Sequence, residues 1–181
     1  MEATSERLIL RSPRPEDWPG YLALVQSQGA MAWGAFGYQR PQTTEEAIGS
    51  FAKFYLPPNA GSLAVILPTT ERLIGVMTAS KQWIGTWECG YLFHPDFWHH
   101  GYATEALRLE LDYLFTSEKA PYVFAEYVQG NDPSRRVLAR LGMKPEGTAR
   151  CGFLLRGELR DLCRVGLTRA EWQALQAPSD N

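Results

Sequence analysis

Gly90 to Ala106 (GYLFHPDFWHHGYATEA) joins an apolar strand, a glycine turn and the start of a helix, and a junction of that kind can bind phosphate. The first backbone N–H groups of a helix have no intrahelical partner and sit at the positive end of its macrodipole, so a polyanion held there needs no basic side chain. Gly101 permits close backbone approach, and Ala103 keeps the next turn open. A second chemistry-bearing segment is Asn131 to Gly142 (NDPSRRVLARLG), which reads as a short capped helix. Asp132 is its expected N-cap, Pro133 its first helical residue and Gly142 its stop. Val137, Leu138 and Leu141 face inward and leave Asn131, Ser134 and the arginines at the start and open face. Each segment alone also fits an ordinary strand-to-helix connection or a plain amphipathic helix.

The elements that must position these residues follow from periodicity. Leu8 to Arg11 reads as a first strand, and Pro13 and Pro15 lead into a helix with Trp18, Tyr21, Leu22 and Val25 on one face. Met31 to Pro41 is aromatic and glycine-rich without a period, as in a shaped surface loop. Thr43 and Glu46 form a capping-box pattern for a second helix that stops at Pro57-Pro58. Apolar strands follow around 63–67, 73–79 and 87–93. Leu107, Leu111, Leu114 and Phe115 mark the next helix, Tyr122 to Val128 a further strand, and 147–153 with 162–167 a closing hairpin around Arg156-Gly157. The expected architecture is an α/β (α+β) fold, with a mixed, mostly antiparallel sheet of six to seven strands and helices on both faces.

The chain has 181 residues, 45% of them hydrophobic, which suits one domain over 1–175 with a flexible tail at 176–181. Its 18 basic and 20 acidic residues are well mixed and give a formal charge of −2, so no basic field points to nucleic acid. No apolar run is long enough to cross a bilayer and the amino terminus lacks a signal-peptide pattern, so a cytoplasmic protein without a membrane partner is expected. Cys89, Cys151 and Cys163 lack metal-ligand spacing; reduced thiols and no metal are expected.

Taken together, Trp98 to Ala106 and Asn131 to Met143 resemble two motifs of the Gcn5-related N-acetyltransferase superfamily, in its ribosomal-protein-alanine N-acetyltransferase branch. The resemblance runs from Glu6, through ERLILR, to the closing RDLCRVGLTRAEW. His99 is a departure, because this branch commonly carries glycine there. The resemblance implies the acyl-CoA N-acyltransferase fold, with acetyl-CoA as cosubstrate between splayed fourth and fifth strands. The phosphates would meet His99, His100, Gly101, Tyr102, Ala103 and Thr104, and the pantetheine arm would run along Leu92, Phe93 and His94. Asn131 and Arg136 are further cofactor candidates. It also implies direct attack of a neutral amine on the thioester, with an oxyanion donor at the N–H of Phe93 or His94.

Glu88, near the middle of the fourth strand, is the expected base, directly or through water; its alternative is a paired surface carboxylate. Ser134 resembles the family serine near the thioester, which implies that it hydrogen-bonds or protonates the departing sulfur; its alternative is to cap its helix. Trp33, Phe36, Tyr38 and Trp83 are candidates for the acceptor cleft, where aromatic walls exclude water and can meet a cation. The expected activity is acetyl transfer to a primary amine, first a protein N-terminal α-amine. The alternatives are a small amine such as a polyamine, amino acid or aminoglycoside, and a catalytically inactive acyl-CoA-binding sensor. A second copy of the chain is a candidate partner, since similar proteins are often dimers.

Overall fold

A computed structural model describes residues 2–34, 41–55 and 61–177. In chain order its elements are β1 (Ala3–Thr4), β2 (Ile9–Arg11), α1 (Trp18–Gln26), α2 (Thr44–Tyr55), β3 (Ser62–Leu67), β4 (Arg72–Lys81) and β5 (Trp87–Phe93). Then come α3 (Tyr102–Thr116), β6 (Tyr122–Val128), α4 (Asp132–Arg140), β7 (Lys144–Leu155), β8 (Glu158–Thr168) and α5 (Arg169–Gln176). The strands follow the order β1-β2-β3-β4-β5-β6-β8-β7. Among the described residues that is eight strands where six to seven were expected, the additional one being the two-residue β1. β5 and β6 run parallel, paired at Trp87↔Val123 and Glu88↔Phe124.

The chain divides into two compact units, Met1–Ala79 with Gly90–Glu110, and Ser80–Cys89 with Leu111–Asn181. In the first, Tyr21, Leu24 and Val25 of α1 and Phe54 of α2 pack with Ala64, Ile66, Leu73, Val76 and Leu92 from the strands. Burying each large aliphatic or aromatic side chain of that set contributes about 1.5–3 kcal/mol. The PED phrase at the start of α1 is explained by Asp17, whose carboxylate takes two 2.8 Å bonds from the Arg11 guanidinium and a 2.7 Å bond from the Arg14 N–H. This ties α1 to β2 through a largely buried, doubly hydrogen-bonded pair rather than an exposed one.

In the second unit β6 pairs antiparallel with β8 along its whole length, Tyr122↔Thr168 to Val128↔Leu162, and β7 closes the hairpin on β8. α5 has no counterpart among the elements expected from the sequence. Thr168 and Glu171 cap it reciprocally, and buried Trp172 stacks on Phe115 with ring centroids 5.8 Å apart. Asn131, not Asp132, is the N-cap of α4, because its side-chain oxygen accepts the Ser134 N–H at 3.3 Å. Gly142 follows the helix at φ +82°, as its role as a stop requires. Ala30–Trp33 forms a single helical turn inside the segment read as loop. Phe36, Tyr38, the Pro57-Pro58 stop and positions 178–181 of the expected tail lie outside the described residues.

Glu110 in α3 is fully buried, and neither carboxyl oxygen has a hydrogen-bond partner. Burial pushes it well above the ordinary carboxyl range, which favours the neutral acid in the folded chain. The unfolded chain ionises it near pH ~4.3. Its contribution is therefore complete below that pH and is lost as pH rises toward the folded value. Glu110→Leu is expected to raise stability at neutral pH by about 1–3 kcal/mol and to flatten its decline with pH. Urea unfolding of both proteins across this range checks it; parallel curves would contradict the assignment.

Candidate functional site

In the first unit β5 leaves the sheet at His94, whose N–H donates to Ile74 O of β4 at 3.0 Å. Successive strand amides point to opposite edges, so the Phe93 N–H faces away from β4 and the His94 N–H does not. Of the two backbone donors proposed for an oxyanion, His94 is thus already engaged and Phe93 is the one on the other edge. On that edge Phe93 O accepts the Trp98 indole N–H at 2.9 Å. Leu92 and Phe93 are themselves buried, while the His94 ring accepts the Asp96 N–H at 3.3 Å and so starts the helical turn Pro95–Phe97.

The chain then reverses into α3 through two left-handed residues, His99 at φ +64° and Gly101 at φ +81°. The left-handed backbone explains why glycine is usual at the His99 position: a side chain there costs roughly 1–2 kcal/mol. His100 is exposed, stacks on Tyr102 at 5.5 Å and bonds Trp98 O through Nδ1 at 2.7 Å. The first helical bond runs from the Glu105 N–H to Gly101 O at 3.1 Å. The amides of Tyr102, Ala103 and Thr104 lie before it, where an α-helix supplies no partner. A Cβ at Gly101 would meet only Arg7 Nη2, at 3.6 Å, so the backbone here is open to approach.

Arg7 is a residue that sequence reasoning missed. Its Nη1 donates to His100 O at 3.0 Å, its Nε to Glu105 Oε2 at 2.8 Å, and its guanidinium lies 5.0 Å from the Tyr102 ring centroid. Ser5 Oγ donates to the other oxygen of Glu105 at 2.5 Å. Glu105 by itself would repel an anion from the helix start; the Arg7 pair offsets that charge. Nothing local in the sequence announces a contact across 98 positions. A glycine-opened backbone, unpaired helix amides and an adjacent guanidinium fit a diphosphate.

In the second unit Glu88 is half-buried on β5. Gln82 Nε2 lies 3.3 Å from its Oε2. Burial first, and then the neighbouring Glu126, raise its pKa above the ordinary carboxyl value, while Arg164 opposes them. Arg164 in turn donates through Nε and Nη2 to Glu126 Oε1 at 2.9 and 2.8 Å. The Tyr122 hydroxyl donates to Glu146. Asn131 caps α4 with its oxygen; Ser134 is half-buried in the first turn, and Arg136 is exposed. Of the aromatic candidates, Trp33 is half-buried in the helical turn of the first unit, and Trp83 is 95% exposed on the turn between β4 and β5.

A family profile described as an acetyltransferase (GNAT) domain matches residues 7–144. A Bacillus subtilis N-acetyltransferase, YnaD, is 31% identical over 152 residues, covering 81% of this chain and 85% of its own. The [ribosomal protein uS5]-alanine N-acetyltransferase of Escherichia coli is 27% identical over 135 residues, 73% of this chain and 70% of its own. The spermidine N-acetyltransferase of Vibrio cholerae, solved with CoA and spermine, has a similar fold, with TM-score 0.79, 18% identity and coverage of 93% and 99%. The chain belongs to the GNAT acetyltransferase family. It is an N-acetyltransferase, and the family uses acetyl-CoA as acetyl donor.

Two substitutions probe the helix start. Gly101→Asp is expected to abolish acetyl-CoA binding in calorimetry, since it adds a like charge and a strained left-handed residue. Arg7→Met is expected to weaken binding about tenfold, the equivalent of one charge-assisted contact. Unchanged affinity in both, with native circular dichroism, would remove the diphosphate from this loop.

Proposed function

We propose that this enzyme transfers an acetyl group from acetyl-CoA to the α-amine of a protein N-terminus that carries a short uncharged side chain. The observation that carries the acceptor class is a cavity of about 40 Å³ in the first unit, lined by Tyr21, Met31, Phe54 and Leu92 with the hydroxyl residues Ser62 and Thr78. That volume suits a few waters or one small side chain. The ribosomal-protein-alanine N-acetyltransferase among the relatives supports the same class.

A polyamine acceptor would call for uncommitted carboxylates, and three acids among the described residues are engaged. Glu126 holds Arg164, Glu146 accepts from Tyr122, and Glu46 accepts from the Gln42 N–H at 2.6 Å. The energetics point the same way. Neutralising a lysine-type amine at pH 7 costs about 4.6 kcal/mol, against about 1.4 kcal/mol or less for an α-amine, so one carboxylate of raised pKa suffices for the latter.

In this reading the amides of Tyr102, Ala103 and Thr104, with Arg7, hold the diphosphate, and Asn131 meets the pantetheine amides. The Phe93 N–H orients the thioester carbonyl. Glu88 accepts the ammonium proton, and Ser134 supplies a proton to the departing sulfur.

Thiol release is the test, measured with peptides that vary in first residue, alongside polyamines, amino acids and aminoglycosides. Peptides starting with alanine or serine are expected to be the best acceptors. Glu88→Gln is expected to lower kcat/KM about 10²-fold or more with acetyl-CoA affinity kept, and Ser134→Ala to lower kcat. Turnover confined to polyamines would contradict the acceptor class, and binding without turnover of any amine would favour the sensor.

A further inference from the structure

Three charged groups beside the β5–β6 pairing are arranged in a way that the base assignment alone does not need. Glu88 on β5 lies opposite Phe124 on β6, and Glu126, two residues further along, projects on the same side of that strand. Across the next pairing Glu126 faces Arg164 on β8. The guanidinium carbon of Arg164 lies 4.1 Å from the Phe124 ring centroid, while both its bonds to Glu126 converge on Oε1. A positive group is thereby fixed over the ring that stands beside Glu88, and a negative group over the next position.

We propose that Glu126 and Arg164 are positioning residues for Glu88: Glu126 is a second carboxylate working in tandem with the base, and Arg164 is the clamp that fixes it and limits its effect. The inference rests on Glu88 being the base. In the proton step an N–H bond of the acceptor's ammonium breaks, its electron pair stays on nitrogen, and the proton forms an O–H bond with Glu88. A second negative charge nearby favours that neutral acid, and a positive one favours the carboxylate. Burial and Glu126 act upward on Glu88, and Arg164 acts downward, so the pair adjusts the base from both sides.

Other polar and charged groups lie beside the cluster. Gln82 donates to Glu88 from the turn after β4. Tyr122, two residues before Phe124, is occupied by Glu146 of β7. Lys81 stands 5.8 Å from the ring of Trp87, the residue before Glu88, whose side chain points to the other side of β5.

The arrangement predicts displacements of opposite sign, which a purely structural role would not produce. Glu126→Gln is expected to move the acid limb of the kcat/KM profile to lower pH, and Arg164→Met to higher pH, each by about half a unit or more. Arg164→Lys keeps the charge and leaves the limb near its original position. Carbon-13 titration of the Glu88 carboxyl, identified by its loss in Glu88→Gln, is expected to show the same displacements without any turnover. Displacements in one direction only, or none, would overturn the inference. Loss of turnover in Glu88→Gln with undisplaced titrations would overturn the inference alone, whereas full turnover in Glu88→Gln would overturn the base assignment and the inference with it.

Discussion

The amides of Tyr102, Ala103 and Thr104 precede the first turn that could pair them, and the surrounding residues are arranged around that unsatisfied backbone. Two left-handed residues turn the chain back on itself so that α3 can begin where it does. Arg7 ties the loop carbonyl of His100 and the carboxylate of Glu105 into one assembly, turning an acidic first turn into a neutral one. The apolar stripe of α3, with Ala106, Leu107, Leu111 and Leu114 at most 1% exposed, anchors the helix that carries those amides. Backbone dipoles, rather than a basic patch, are then what the chain offers a diphosphate, in keeping with a net charge of −2.

The proposed proton removal has a different origin. Its setting is strand register: Glu88 opposite Phe124, and Glu126 opposite Arg164. Because side chains alternate along a strand, a slip of one residue would carry Glu126 to the other face and dissolve the cluster. The Gly166 position next to it is held open by close approach, since a Cβ there would collide with the Tyr122 hydroxyl and the Glu146 carboxylate. Any side chain at that position would therefore have to displace the Tyr122–Glu146 contact.

Local signals and long-range contacts differed in how far they could be read. β5 and β6 match the expected spans residue for residue, because each is an apolar run bounded by turn residues. Gly101, Asn131 and Ser134 were legible for the same reason: they mark helix starts, and helix starts are encoded within four or five residues. The α4 cap shifted by one residue, a difference between two adjacent good caps, Asn131 and Asp132. α5 was legible in principle, since Thr168 and Glu171 form a capping box, but Trp172 needed Phe115 to pack against before the helix had a reason to form. Arg7, Glu126 and Arg164 were not legible, because their roles arise from pairings of 98 and 38 positions that no local pattern encodes.

The central claim is that the start of α3 grips the diphosphate of acetyl-CoA through backbone amides, and amide-resolved NMR titration tests it most directly. The protein is titrated separately with coenzyme A and with pantetheine, which lacks the diphosphate. The account predicts that coenzyme A displaces the amide signals of Gly101, Tyr102, Ala103 and Thr104 to saturation, while pantetheine leaves them in place. Binding of coenzyme A with those four signals unmoved would contradict it.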